Sequence, residues 1–153
     1  MAGLARRLVQ VEADAFRQLL RESGRRVLGI DVGSQRVGLA ISEDVDGIAL
    51  PLKVVRRKDL TTTDVSAFIK DVVVSHNIGG LVVGLPIDLD GEEGVSCRRV
   101  KRFVRQVSRE TELRLPYTFY DETNTTVDAY DNLKDAYGPE YVKILGPLPQ
   151  IPM

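Results

Sequence analysis

Three acids of this 153-residue chain stand where apolar runs stop: Asp31 after Val27-Leu28-Gly29-Ile30, and Asp121 with Glu122 after Tyr117-Thr118-Phe119-Tyr120. An acid at a strand end is held on a rigid element yet stays reachable, and Gly33, with no side chain, leaves room beside Asp31 for a phosphate or a metal ion. Carboxylates brought together repel one another unless a cation holds them. Oxygen-only ligands suit Mg2+ or Mn2+ better than zinc, and a pair of such ions activates water and stabilises the leaving oxygen in phosphodiester hydrolysis. Each acid alone also fits a plainer role: Asp31 can open a β-turn, and Asp121-Glu122 can cap a following helix.

A second set is cationic. Arg98, Arg102, Arg105 and Arg109 recur at spacings of three and four, which puts them on one face of a helix over residues 95–112. Such a stripe can neutralise several phosphates and make binding salt-dependent, and it is equally the look of a solvated helix face. A further basic cluster lies between Lys53 and Lys58. The single histidine, His76, falls near a helix end where capping suffices, and the single cysteine, Cys97, lacks any partner for a disulfide or a metal set and reads as packing.

The elements that must hold these residues follow from periodicity. An amphipathic helix is expected over residues 4–22, with Leu4, Leu8, Val11, Ala15 and Leu19 at helical spacing; its acids Glu12, Asp14 and Glu22 argue against a transit peptide. Strands are expected over residues 27–31, 37–43 and 48–55, the last an edge or a strand start because of Pro51. Thr61 to Asp64 offers capping groups for a helix over residues 64–77 that buries Val65, Phe68, Ile69, Val72 and Val73, and Gly79-Gly80 ends it. Leu81 to Leu85 reads as a central parallel strand, and Pro86 to Gly94 as a loop. After the basic helix come a strand over residues 114–120 and a last helix from about Thr125, with Asp128 completing a loose capping box, broken at Gly138-Pro139. Pro147, Pro149 and Pro152 leave the tail irregular.

That order predicts an α/β fold, a mixed sheet with crossover helices, in which ligands gather at the carboxyl ends of the parallel strands. Asp31, the loop after Gly84 and the Asp121-Glu122 pair all fall at such ends. If the first and last of these strands are neighbours, the acids converge. A hydrophobic fraction of 43%, a charged fraction of 28% and a net charge of −1 describe an ordinary globular chain rather than a globally basic one. No apolar run approaches the ~20 residues of a membrane span, and the lone cysteine argues for a reducing compartment. The cytoplasm is therefore expected, with chloroplast or mitochondrion as the alternative.

The run Leu28-Gly29-Ile30-Asp31-Val32-Gly33, with Val37 to Ser42, Ala49-Leu50-Pro51-Leu52, Leu81 to Gly91 with Glu93-Gly94, and Tyr120-Asp121-Glu122 with Thr125-Thr126, resembles the YqgF/RuvX family in order and spacing. The resemblance spans residues 26–137. It implies an RNase H-like mixed β-sheet flanked by α-helices at residues 25–137, with residues 1–24 as an extra helix and residues 138–153 as a Pro-rich tail. It implies a divalent-metal nuclease that trims the precursor of small-subunit ribosomal RNA or acts on branched DNA. Asp31 is carried over as the first ligand and Asp121 and Glu122 as the next; Gly33 and Gly84 are read as backbone-turn positions beside the site. Two departures are visible: Thr123-Asn124 stands where the family continues with Arg-Leu, and residues 138–153 show no helix bearing the family's further Asp. They imply, as the alternative, a catalytically degenerate nucleic-acid- or ribosome-associated module.

Overall fold

The computed structural model describes residues 7–45, 47–86 and 94–121, the last without its side chain. The expected Asp31, Asp121, Gly33, Gly84 and arginine positions fall within it. Glu122, the loop after Pro86, the helix expected from Thr125 and the tail lie outside the described residues.

The described residues form nine elements: β1 (Val9–Gln10), α1 (Ala13–Ser23), β2 (Arg26–Val32), β3 (Arg36–Ser42), β4 (Ala49–Arg56), α2 (Thr62–Ser75), β5 (Ile78–Leu85), α3 (Val95–Thr111) and β6 (Pro116–Asp121). The six strands make one sheet in the order β1-β6-β5-β2-β3-β4. Strands β1, β6, β5 and β2 run parallel, and β3 and β4 are antiparallel neighbours. The mixed α/β sheet with its crossover helices is RNase H-like, as expected. Pro51 sits on β4, an edge strand, where its missing N–H removes no hydrogen bond the sheet requires.

Alternation along β2 separates the two faces. Leu28, Ile30 and Val32 join the main core with Leu81, Val83, Val37 and Leu39, under α2 and α3. Val27 turns the other way and packs with Phe16 and Leu20 of α1. The parallel strands bury both faces at this level, which is why β5 carries almost no polar side chain. Helix α2 begins at Thr62, two residues before the expected start, within the capping segment that the sequence offers: Thr61 Oγ1 accepts from the Asp64 N–H at 3.1 Å while Asp64 Oδ2 accepts from the Thr61 N–H at 3.0 Å, a reciprocal capping box. His76 is its C-cap residue, and Cys97 is fully buried.

The N-terminal helix is shorter than its spacing predicts. It starts at Ala13, and Val9–Gln10 is instead a strand beside β6, with the Val9 N–H on the Leu115 carbonyl and the Val11 N–H on the Tyr117 carbonyl, both 2.9 Å. Its buried residues are Phe16 and Leu20; Ala15 and Leu19 face solvent. The glycine pair is a second correction. Helix α2 ends at Ser75, Asn77 takes the left-handed conformation at φ 55°, and Gly79-Gly80 lies inside β5. The glycines are there for space. A Cβ on Gly80 would fall 2.6 Å from Phe16 Cε2, and one on Gly79 would fall 2.7 Å from Arg25 Cβ.

Candidate active site at the carboxyl ends of the parallel strands

Ile30, Val83 and Phe119 are in register across β2, β5 and β6, so the strands finish together. Asp31 is one residue beyond that line on β2. Asp121 is two beyond it on β6, paired with Leu85. The strands bearing the two acids are not neighbours; β5 lies between them. Gly84, paired with Tyr120, occupies that intervening position and brings no side chain there.

Asp31 alternates onto the face that α1 covers, the face of Val27. Helix α1 reaches only the far end of that face, because four residues of strand, about 13 Å, separate Val27 from Asp31. Directly across the hairpin Asp31 faces Gly38. The residue is partly exposed at the rim, yet its Oδ1 is enclosed and has no hydrogen-bond partner among the described residues. Burial raises its pKa from 3.8 to about 7. A carboxylate so placed calls for either a proton or a cation. An orphaned, enclosed carboxylate oxygen is the donor a hard divalent cation takes, so Asp31 fits a Mg2+ or Mn2+ ligand. Among the described residues no three His, Cys, Asp or Glu side chains come together as a metal group.

Beyond Asp31 the chain turns back tightly. The Gly33 N–H donates to the Arg36 carbonyl at 2.7 Å, closing the hairpin over Ser34 and Gln35. The Gly33 carbonyl in turn accepts from Arg57 Nη1 at 3.1 Å, and Arg57 Nη2 donates to Thr62 Oγ1 at 3.3 Å. Arg57 is thus fixed to both the hairpin and the start of α2, with its guanidinium 6.0 Å from the centre of the Phe103 ring. Sequence reasoning noted the Lys53–Lys58 basic cluster without singling out Arg57. The signal was charge density alone, since no local pattern says which of these cations turns toward Gly33.

The arginine stripe is real as a stripe. Arg98, Arg102, Arg105 and Arg109 are all exposed on α3, opposite the buried Val100, Phe103, Val104 and Val107. The stripe does not lie beside Asp31. Helix α3 packs on the layer opposite the face to which Asp31 points, and it runs back from the strand ends, carrying Arg109 about 16 Å along the axis from Arg98. Arg105 and Arg109 line a cleft of about 390 Å3 with Arg7 and Tyr117.

The sheet order and the strand-end acid define an α/β domain of the RNase H-like class. A family model described as "RuvX: Holliday junction resolvase" matches residues 25–142, and the chain belongs to that family. Among curated relatives, one from Roseobacter denitrificans is 38% identical over 114 residues, covering 74% of this chain and 69% of its own, and bears the name "Putative pre-16S rRNA nuclease". One from Paracoccus denitrificans with the same name is 39% identical over 116 residues, covering 76% of this chain and 70% of its own. Among solved structures, Thermus thermophilus RuvC in complex with a Holliday junction substrate is 19% identical, with a TM-score of 0.48 over 84% of this chain and 83% of that one. No helix among the described residues is long and apolar enough to cross a membrane.

Proposed function

We propose that the chain is a divalent-metal-dependent nuclease that hydrolyses phosphodiester bonds in structured RNA, the precursor of small-subunit ribosomal RNA foremost, with branched DNA as the other substrate class. Membership of the RuvX family and the names of the relatives support the class of reaction. The observation in the molecule that carries it is the enclosed, unpartnered Oδ1 of Asp31 at the open end of a central strand.

Asp31, with Asp121 and Glu122, would hold Mg2+ or Mn2+, which when bound supplies an activated water and neutralises charge on the scissile phosphate. Asp31 contributes a carboxylate fixed by strand pairing on both sides of β2. Gly38 and Gly84 keep side chains away from the approach to it. The exposed arginines of α3 offer phosphate contacts away from the reacting bond.

The test is cleavage of precursor ribosomal RNA and of junction DNA by the purified chain with Mg2+ or Mn2+. The reading requires cutting of at least one substrate and its loss in Asp31→Asn; no cutting, or equal cutting by the variant, removes it. A second reading, a nucleic-acid-binding module without turnover, is favoured by Thr123-Asn124, which leaves the acidic pair without the bidentate phosphate donor of the family pattern. It predicts salt-sensitive RNA binding with no cleavage.

A further inference from the structure

The same end of the sheet carries a second charged feature that the acids and the α3 stripe leave unused. Ser34, Gln35, Arg36, Arg56, Arg57 and Lys58 line a groove of about 480 Å3 around the tip of the β2–β3 hairpin. None of these side chains is acidic. Arg36 and Arg56 are paired across β3 and β4 and lie on the Asp31 face, because Val37 and Val55 beside them enter the core on the other. Gly38, opposite Asp31, is two residues from Arg36 along β3, roughly 7 Å. The groove therefore lies on the hairpin that follows Asp31, with Arg36 two residues from Gly38, the cross-strand partner of Asp31, and Arg57 anchored to the Gly33 carbonyl.

Arg57 is the fixed member. It uses two of its five N–H donors on the Gly33 carbonyl and Thr62 Oγ1, which hold the guanidinium in place. No carboxylate pairs with it among the described residues. Burial, and next the Arg99 guanidinium, pull it below the ordinary arginine range. Two like charges held together at a half-buried position disfavour the charged form until an anion joins them. Arg56 differs, since its Nε donates to Asp59 Oδ2 at 3.0 Å. Lys58 is exposed and has no ion pair among the described residues.

We infer that this groove binds a backbone phosphate of the nucleic-acid strand that reaches Asp31, with Arg57 as the pre-positioned donor and Lys58 as the flanking cation. The inference rests on the nuclease or binding reading above and names which surface guides the strand: the hairpin tip at the rim, with Arg36 and Arg56 toward the Asp31 face and Arg57 toward α2 and α3, rather than the α3 stripe alone. A planar guanidinium already anchored through two of its donors presents the rest to phosphate oxygens with little further ordering.

The experiment is binding of labelled single-stranded RNA and of a four-way DNA junction to the full chain in EDTA, followed by fluorescence anisotropy over a KCl series. For the single-stranded probe, loss of one phosphate contact shallows the slope of log K against log salt by about 0.7 and weakens binding about fivefold near 0.1 M salt. That change is expected in Lys58→Gln and in Arg57→Gln. Arg57→Gln also frees the Gly33 carbonyl and disturbs the hairpin anchor, so Lys58→Gln, which removes no side-chain hydrogen bond or ion pair among the described residues, decides. Unchanged affinity and slope in Lys58→Gln overturn the groove assignment while leaving the nuclease reading intact. If the wild-type chain binds neither probe, the groove assignment falls, while the nuclease reading stands or falls on the cleavage assay with Mg2+ or Mn2+.

Discussion

Asp31 and Gly38 face each other directly across the β2–β3 hairpin, and a Cβ built on Gly38 would lie 3.8 Å from Asp31 Cβ. That is ordinary van der Waals contact, so one methyl group fits while anything longer must lie over the carboxylate. Gly38→Ala is therefore expected to fold with stability within about 1 kcal/mol of wild type, the range of glycine-to-alanine effects at compatible backbone positions. Gly38→Phe is expected to lose cleavage or metal response far more than it loses stability. Paired denaturation curves and cleavage assays check this; equal loss in both readouts would show that Gly38 serves only packing.

The enclosed carboxyl makes stability depend on pH in a definite direction. Asp31 ionises near 3.8 in the unfolded chain and near 7 in the folded one. Between those values the unfolded state gives up its proton first, so stability falls as pH rises from about 4 to about 7 and levels off above. The penalty above pH 7 is up to about 4 kcal/mol in the absence of metal, from about 1.4 kcal/mol per unit of pKa difference. Asp31→Asn is expected to abolish this slope and to be more stable than wild type at pH 8 in EDTA. Mg2+ or Mn2+ is expected to raise the wild-type melting temperature at pH 8 and to do less at pH 5, where the proton competes. A flat wild-type profile between pH 4 and pH 7 would sink the assignment.

The contact between Gly80 and Phe16 ties α1 to the central strand. A Cβ at Gly80 would sit 2.6 Å from Phe16 Cε2 and 2.9 Å from Leu20 Cδ2, and both side chains are buried. Gly80→Ala is expected to destabilise by about 1–3 kcal/mol through overpacking. In a Phe16→Leu background the same change is expected to be milder, so the two substitutions are non-additive in urea titrations. Strict additivity would mean that the helix does not press on the strand there.

Much of the scaffold is local chemistry and was readable along the chain. The pattern of residue types left Asp31 at the end of an apolar strand, and Thr61 with Asp64 marked the start of α2 by local capping chemistry. The arginine period marked one exposed face of α3 correctly. The readings that failed were those where a local pattern has two solutions. Leu4, Leu8 and Val11 have helical spacing, yet the Val9 and Val11 N–H groups donate to the Leu115 and Tyr117 carbonyls, far along the chain. Gly79-Gly80 resembles a helix stop, but its cause is close approach, of Arg25 to Gly79 and of the Phe16 ring to Gly80.

The candidate site divides in the same way. The sequence by itself determined that Asp31 ends an apolar strand beside a glycine turn, because residue type and alternation are properties of a short segment. Tertiary structure alone decided that β5 separates the Asp31 and Asp121 strands, that α3 carries its arginines on the layer away from Asp31, and that Arg57 reaches back to the Gly33 carbonyl. Those are relations between residues distant in the chain. They are set by how the sheet orders its strands and which face each helix buries, and no local periodicity encodes either.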